Sequence, residues 1–100
     1  MRDGDVDFMI KICNILSSKA PDIVAVLCTV NGSAKIVTIA GREAVKNGAD
    51  AGKIAAEAAR RLGGGGSGDP SFGQGGGVKP DEAIEALRAA EEAVRIQVGG

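Results

Sequence analysis

Nine of the sixteen glycines in this chain of 100 residues lie within fifteen consecutive positions, 63–77. Glycine loses more conformational freedom on folding than any other residue, and it suits places where the backbone turns tightly or approaches another backbone closely. The composition of residues 63–68 is also that of a flexible linker. A featureless spacer has no need of Phe72, an apolar anchor, or of Gln74, an amide. We therefore expect an ordered glycine-rich strand or loop, with a linker as the alternative.

Two phosphate-binding motifs are excluded within this segment. Gly63 and Gly68 have the spacing that opens a P-loop, but Asp69 and Pro70 stand where that motif needs a lysine and a hydroxyl residue. Gly63, Gly65 and Gly68 also fit the pattern G-x-G-x-x-G. They follow a predicted helix rather than a strand, however, and no helix begins at them. The glycines therefore mark neither kind of nucleotide site.

Helical and strand patterns alternate along the rest of the chain. Residues 6–16 repeat apolar side chains at helical spacing, and Pro21 is expected to end that helix. Asp50 is placed to cap a helix over residues 51–62. Pro80 is suited to begin a last helix. The predicted apolar stripe of this last helix comprises Ala83, Ile84, Leu87, Ala90 and Val94, and residues 97–100 are expected either to add a short strand or to fray.

Residues 23–30 and 34–40 are rich in β-branched side chains and flank Asn31-Gly32, a pair that favours a two-residue hairpin turn. If Val30 pairs with Ser33 across that turn, Val26 lies opposite Val37. Both faces of the hairpin are then apolar, so the sheet must be covered by helices. We expect one α/β domain over residues 1–100, with a small mixed sheet flanked by helices. Its predicted order is helix, hairpin, helix, glycine-rich strand, helix.

Composition excludes several kinds of site. The chain has no histidine, which removes the commonest general base and metal ligand, and Cys13 and Cys28 lack the spacing of a zinc site. Both cysteines lie in apolar runs and are expected to be reduced core residues. The net charge of -1 provides no global basic field, and no stretch is long enough to span a membrane. We therefore expect neither catalytic nor metal-binding residues here, and no membrane partner.

Residues 50–81 resemble a known family. Ala51-Gly52-Lys53-Ile54 opens a helix that leads into the glycines, Pro70, Phe72 and Gln74-Gly75-Gly76-Gly77 follow, and Pro80 begins another helix. This order resembles the C-terminal globular domain of alanyl-tRNA synthetases. That domain belongs to the DHH-associated family, which is also found behind the catalytic domain of phosphoesterases that degrade oligonucleotides and cyclic dinucleotides. The ending at residues 74–77 favours the synthetase branch, and Asp69 stands where the phosphoesterase branch carries a histidine.

The resemblance implies a non-catalytic segment of a longer, cytoplasmic enzyme. Such an enzyme activates alanine with ATP, transfers it to tRNA-Ala, and hydrolyses mischarged products in a zinc-dependent editing domain. ATP, magnesium and zinc would then be held by the parent chain, and no cofactor is expected in this segment. The domain itself would hold the outer corner of the tRNA and pair two subunits. The alternatives are a substrate-binding domain of a phosphoesterase and a purely structural dimerisation module.

Candidate RNA-binding residues come from charge spacing and from the glycine segment. Lys46, Lys53 and Arg60 are seven residues apart, which places them within about 40° on a helix, and Arg61 adjoins them. Such a stripe can contact an RNA backbone without reading bases, although an ordinary solvated helix face has the same appearance. Glycines 63–66 are first of all expected to let the backbone pass close to the preceding helix. The candidates added from the glycine segment are Gly65, Gly66 and Gln74.

The first helix presents more apolar surface than one contact can cover. Phe8, Ile12 and Ile15 lie beside its main apolar stripe, and its polar stripe is only about 60° wide. One interpretation makes these three residues a homodimer interface. The other has them packed inside the domain or against a helical segment of a longer chain. A helix this apolar is not expected to remain exposed to water.

Overall fold

The computed structural model describes residues 3–98, with the side chains of all of them except 3–7, 17 and 31. Four helices and four strands lie within this range, and they include every predicted element in the predicted order, with a short helix at Arg42–Lys46 and a second glycine-rich strand in addition. The α/β class with a small sheet flanked by helices is confirmed. A single 3₁₀ turn at Pro80–Glu82 precedes the last helix. The elements are α1 Asp3–Lys19, β1 Val24–Asn31, β2 Ser33–Ala40, α2 Arg42–Lys46, α3 Ala51–Arg61, β3 Gly65–Asp69, β4 Phe72–Gly77 and α4 Ala83–Val98.

The sheet has the strand order β1-β2-β4-β3. Where a mixed sheet was expected, all three of its pairings are antiparallel. The glycine-rich segment supplies both strands of the second hairpin, so it is an ordered part of the sheet and not a linker. β2 and β4 are central, and β1 and β3 are the two edges of the sheet.

The predicted register of the first hairpin is wrong by one residue. Val30 pairs with Ala34 instead of Ser33, and Val26 lies opposite Thr38 instead of Val37. The turn contains only Gly32, at φ +80°, a conformation that glycine adopts without strain. A slip of one residue moves every β2 side chain to the other face. Because both faces of β2 are apolar and covered, the hydrophobic pattern does not distinguish the two registers.

Helices cover the two faces of the sheet with different cores. On one face, Ile36 packs with Ile54, Leu62 and alanines of α3 and α4. On the other face, Met9 and Cys13 of α1 pack against Val37 and Ile39. Cys13 is fully buried and Cys28 is half-buried, and desolvation raises the pKa of both thiols. Cys13 therefore lies in the core under α1, as predicted, and Cys28 packs at the margin of the other core, around Ile36.

The face of α4 that packs inward matches the predicted stripe only in part, because Ala90 and Val94 pack on the core as predicted. Ala86 and Ala90 are buried, whereas Ile84 is 68% exposed and Leu87 is 40% exposed. α4 packs mainly on α3, whose own inward side is also rich in alanine. Small side chains on both helices allow close packing, so the larger apolar residues of α4 are left facing outward.

Two features fix the ends of α3 and α4. The Asp50 carboxylate accepts a hydrogen bond from the Lys53 backbone N–H at 3.2 Å, which confirms the predicted cap of α3. α4 continues to Val98 where a strand or fraying was expected, and residues 99 and 100 lie outside the described part of the chain. The Gln97 amide bonds both backbone groups of Asp50, accepting from its N–H at 2.8 Å and donating to its carbonyl oxygen at 3.3 Å.

No helix among residues 3–98 is long and apolar enough to cross a membrane.

Candidate nucleic-acid interface

The β3–β4 hairpin lies directly against the backbone of α3. A Cβ added at Gly66 would lie 2.8 Å from the carbonyl oxygen of Ala55, and one added at Gly75 would lie 3.1 Å from the Ala59 Cβ. At Gly73 an added Cβ would clash with the carbonyl oxygen of Ala51. The glycines therefore allow helix and sheet to touch backbone to backbone, as predicted for the start of this segment.

The opposite face of the hairpin is open. Residues paired across strands share a face, so Gly65 and Gly76 lie in one row and Ser67 and Gln74 in the next. A Cβ added at Gly65 would meet nothing within 4 Å, and Gln74 is exposed. This surface, which we call the open glycine face, consists of residues 65, 67, 74 and 76. It is nearly flat backbone with two polar side chains.

Lys35 belongs to the same face and was not among the predicted residues. It pairs with Gly76, which in turn pairs with Gly65, so the row crosses β2, β4 and β3. Lys35 is half-buried and makes no ion pair among the described residues. Its place on this surface depends on long-range strand pairing, which cannot be read from the spacing of the sequence.

The predicted basic residues occupy another surface. Lys53, Arg60 and Arg61 are exposed on α3, on the side away from the sheet. Arg60 pairs with Glu57 at 3.1 Å, whereas Lys53 and Arg61 have no ion pair within the described residues. Lys46 is in α2, where it pairs with Glu43 at 3.5 Å. Its seven-residue spacing from Lys53 therefore does not place it in the α3 stripe.

The predicted RNA-binding residues thus fall on two sides of the sheet. Gln74 and Gly65 face away from α3, Gly66 faces α3, and the cations lie on the outer side of that helix. α3 covers β3 and β4 between the two groups, and Lys53 and Arg61 line a groove between α3 and α4. A ligand that contacts both groups must therefore pass around the sheet and over α3. β3 also offers it backbone groups without a strand partner.

Asp69 closes the second hairpin through its own carboxylate. Its Oδ1 accepts bonds from the Ser71 hydroxyl and N–H, each at 2.9 Å, and from the Phe72 N–H at 3.0 Å. These bonds, with the Ser71 hydroxyl as the largest contribution, lower the pKa of Asp69 below its usual value. The hairpin tip is therefore an exposed anion, which disfavours phosphate at that end of β3.

The predicted dimer residues lie apart from these surfaces. Phe8 is 64% exposed and Ile15 is 56% exposed, while Ile12 between them is half-buried. Packing inside the domain therefore does not cover Phe8 or Ile15. Within the described residues, no three His, Cys, Asp or Glu side chains are grouped as they would be around a metal ion.

The architecture defines a small helix-and-sheet module whose glycine hairpin is packed under a helix. The family model described as "DHHA1 domain" matches residues 3–95, and the chain belongs to that family. This match and the relatives described below confirm the resemblance to the C-terminal domain of alanyl-tRNA synthetases.

Curated relatives and a solved structure agree with this assignment. The chain is 49% identical over 77 residues, 76% of its length, to an alanine–tRNA ligase of Acidothermus cellulolyticus. It is 37% identical over 101 aligned positions, 99% of its length, to that of Chlorobium chlorochromatii. The crystal structure of the C-Ala domain from Aquifex aeolicus alanyl-tRNA synthetase superposes with a TM-score of 0.73 at 24% identity, covering 84% of this chain and 76% of that one. The chain spans about a tenth of the length of these curated relatives, 9% and 11%.

Proposed function

We propose that this domain binds the outer corner of tRNA-Ala as a non-catalytic part of an alanine–tRNA ligase. The observation that carries the proposal is the open glycine face, where Gly65 leaves empty space above the sheet beside Lys35 and Gln74. The ligase relatives support the choice of RNA. On this proposal the parent enzyme is cytoplasmic and holds ATP, magnesium and zinc outside the present segment.

A polynucleotide backbone can approach the sheet closely at Gly65 because this residue has no side chain and nothing lies above it. Lys35 supplies positive charge on this face, and Lys53 and Arg61 supply it on the outer side of α3, where they line a groove with α4. The Gln74 amide can donate to a phosphate or ribose oxygen. None of these groups forms a pocket around a base. We therefore infer that the domain recognises the shape and backbone of the folded tRNA rather than its sequence.

Pairing of two subunits is a second part of the proposed function. It is supported by the exposure of Phe8 and Ile15, which the described residues leave uncovered. The phosphoesterase alternative has no comparable support, because Asp69 stands where that branch carries histidine and its carboxylate is engaged in the hairpin turn.

A substitution that blocks the glycine face tests the RNA proposal. Gly65→Val places a branched side chain in open space, so the domain should stay as stable as the wild type while losing affinity for tRNA-Ala. Binding should fall steeply with salt, because phosphate contacts release counterions. Wild-type tRNA affinity in a folded Gly65→Val variant would overturn the proposed site.

Charge reversal provides a matched pair of variants. Arg60 and Arg88 are both 73% exposed, and each pairs with a glutamate three residues earlier. The Lys53→Glu, Arg60→Glu double variant should weaken binding and flatten the log–log salt dependence by about one per lost phosphate contact. Arg88→Glu should leave both unchanged. Lys35→Glu should behave like the double variant.

Intact tRNA-Ala compared with an acceptor-stem minihelix locates the contact on the RNA. The outer corner exists only in the folded L-shaped molecule, so the minihelix should bind much more weakly. Equal affinity for both RNAs would contradict recognition of the corner.

A further inference from the structure

A groove of about 630 Å³ lies between α3 and α4. α3 contributes Lys53, Glu57 and Arg61 to it, and α4 contributes Ala93 and Ile96. We call it the α3–α4 groove. It is separate from the open glycine face, which lies on the side of the sheet away from α3. Its volume is within the range of sites that hold a ligand.

The α4 side of this groove is apolar. Ala89, Ala93 and Ile96 are spaced by four and three residues, which places them on one side of the helix. Ile96 is 70% exposed, so a large hydrocarbon side chain faces water at this place. The two alanines are small, and small side chains allow another helix to approach closely.

The α3 side of the groove carries two cations that have no partner. Lys53 and Arg61 make no ion pair among the described residues. The two glutamates of the groove, Glu57 and Glu92, each pair with the arginine three residues further along their own helix. The groove therefore has an excess of positive charge. Lys53 and Arg61 are eight residues apart, which separates them by about 12 Å along the axis of α3.

The two helices that form the groove are fixed relative to each other. At one end, the Gln97 amide of α4 bonds both backbone groups of Asp50, the residue that caps α3. Beneath the groove, Ala58 and Ala90 are buried members of one core cluster. A site that is already formed loses little conformational freedom when it binds a ligand, and this favours affinity.

We propose that the α3–α4 groove binds an amphipathic helix of a partner protein, with two acidic residues about two turns apart and apolar residues between them. The acidic residues pair with Lys53 and Arg61, and the apolar residues cover Ala93 and Ile96. In this mode of recognition, apolar anchors supply affinity and the flanking charges fix the orientation of the bound helix.

The charges and the lining of the groove favour this occupant over two others. A second copy of the groove would bring cations against cations. A polynucleotide would bring its phosphates beside Glu57 and Glu92, and none of the residues that line the groove is aromatic, so no ring is available for a base to stack on. The proposed contact with tRNA uses the exposed end of Lys53, so tRNA and the helix would compete for that lysine.

The test uses the whole chain and a synthetic peptide of about 15 residues, stapled so that it remains helical, with two glutamates two turns apart and leucines between them. A control peptide has lysines in place of the glutamates. Fluorescence anisotropy in the absence of RNA should show binding of the glutamate peptide, which weakens as salt rises, and no binding of the lysine peptide. No binding of the glutamate peptide at millimolar concentration would overturn the inference.

Charge reversal should exchange the two peptides. The Lys53→Glu, Arg61→Glu variant should bind the glutamate peptide about tenfold more weakly or worse, and it should gain affinity for the lysine peptide. Loss of folding cannot produce a gain of affinity, so this result separates charge pairing from misfolding. A variant that keeps the preference of the wild type would contradict the proposed pairing.

Two exposed isoleucines of α4 provide a matched pair for the apolar contact. Ile96 is 70% exposed and lines the groove, whereas Ile84 is 68% exposed and does not line it. Ile96→Asp should weaken binding of the glutamate peptide about tenfold, and Ile84→Asp should leave it unchanged. Equal effects of the two variants would overturn the inference.

Nuclear magnetic resonance distinguishes the peptide from RNA as the occupant. The glutamate peptide should shift the amide signals of Ala89 and Ala93. If tRNA-Ala shifts these signals and the peptide does not, the groove belongs to RNA and the inference is wrong. If tRNA-Ala binds nowhere on the chain while the peptide binds in the groove, the proposed function fails and this inference stands.

Discussion

The β1–β2 hairpin and the β3–β4 hairpin share one sheet, but the helices contact side chains of the first and the backbone of the second. Along β2, the fully buried Ile36 and Val37 point to opposite faces, and each fills the space beneath a different helix layer. Along β4, glycines occupy the positions that face α3, and α3 rests on the backbone itself. Side chains therefore determine the distance between sheet and helices in the first half of the sheet. In the second half the absence of side chains determines that distance.

This difference determines which substitutions each half of the sheet tolerates. A side-chain core can relax slightly around a lost methyl group, because its neighbours have rotamer freedom. A backbone-to-backbone contact has no such freedom, because any added atom must displace a helix or a strand. The glycine half is therefore intolerant of additions on its α3 face, although Gly65 on its other face borders open space.

Adding one methyl group to the contact between β4 and α3 should have the largest effect. In Gly73→Ala the new Cβ meets the Ala51 carbonyl and lies 2.6 Å from the Thr38 Oγ1, so we expect a loss of about 3 kcal/mol or more in the free energy of unfolding. Urea denaturation measures it. Gly65→Ala is the control, because it adds the same methyl to open space and should change stability by less than about 0.5 kcal/mol. Equal losses would refute the comparison.

Removing a buried hydroxyl that joins β2 to α3, the helix that covers the glycine half, should have the next largest effect. The Thr38 hydroxyl of β2 donates to the Ala51 carbonyl oxygen of α3 at 2.6 Å, and Thr38 is fully buried. Thr38→Val keeps the shape but leaves that carbonyl without this donor, which should cost about 1–2 kcal/mol. Thr38→Ser keeps the donor and should recover part of the loss. Identical values for the two variants would show that the hydrogen bond contributes nothing.

Removing one methyl group from the side-chain core should cost less than adding one to the glycine contact. Ile36→Val deletes a buried methyl between β2 and α3 and should lower the unfolding free energy by about 0.5–1.5 kcal/mol. Thermal and urea unfolding should agree on this value. A cost above that of Gly73→Ala would reverse the proposed contrast between the halves.

The smallest effect is a pH dependence at the tip of the glycine hairpin. Asp69 has a pKa below its ordinary 3.8, because its charged form accepts bonds from Ser71 and Phe72. Its contribution is therefore fully present above the unfolded pKa and is lost as pH falls through the lower folded pKa. The stability difference between the wild type and Asp69→Asn should shrink at acidic pH. A difference that stays constant from neutral to strongly acidic pH would contradict this.

Local signals predicted the parts of the fold that local chemistry determines. Asp50 before an alanine-rich segment marks the start of α3, and Pro21 follows the end of α1 within two residues. The position of the first hairpin could be predicted but its strand register could not, because β2 is apolar on both faces. The buried side of α4 was misjudged in part, for a different reason. Apolar patterns give weight to Ile84 and Leu87, yet these two are exposed, and Ala86, which was not predicted, is buried beside the predicted Ala90.

Only part of the candidate site could be predicted from the sequence. The glycines, Gln74 and the α3 cations could be named from their types and spacing, but the face that each one occupies could not. Lys35 joins Gly65 through two successive strand pairings that span residues 35–76. Gln97 likewise reaches Asp50 across 47 residues. Contacts of that sequence separation depend on topology, which no local pattern contains.

The glycine hairpin also has a consequence for the order in which the chain folds. Its strands contain almost no side chains with which to collapse, and ordering each glycine costs more backbone entropy than ordering any other residue. β3 and β4 can therefore gain stability only after α3 and β2 have provided a surface for them. We expect this hairpin to form late and to open first in native-state hydrogen exchange. We thus expect the surface proposed to bind tRNA to be also the region of the native structure that unfolds locally most often.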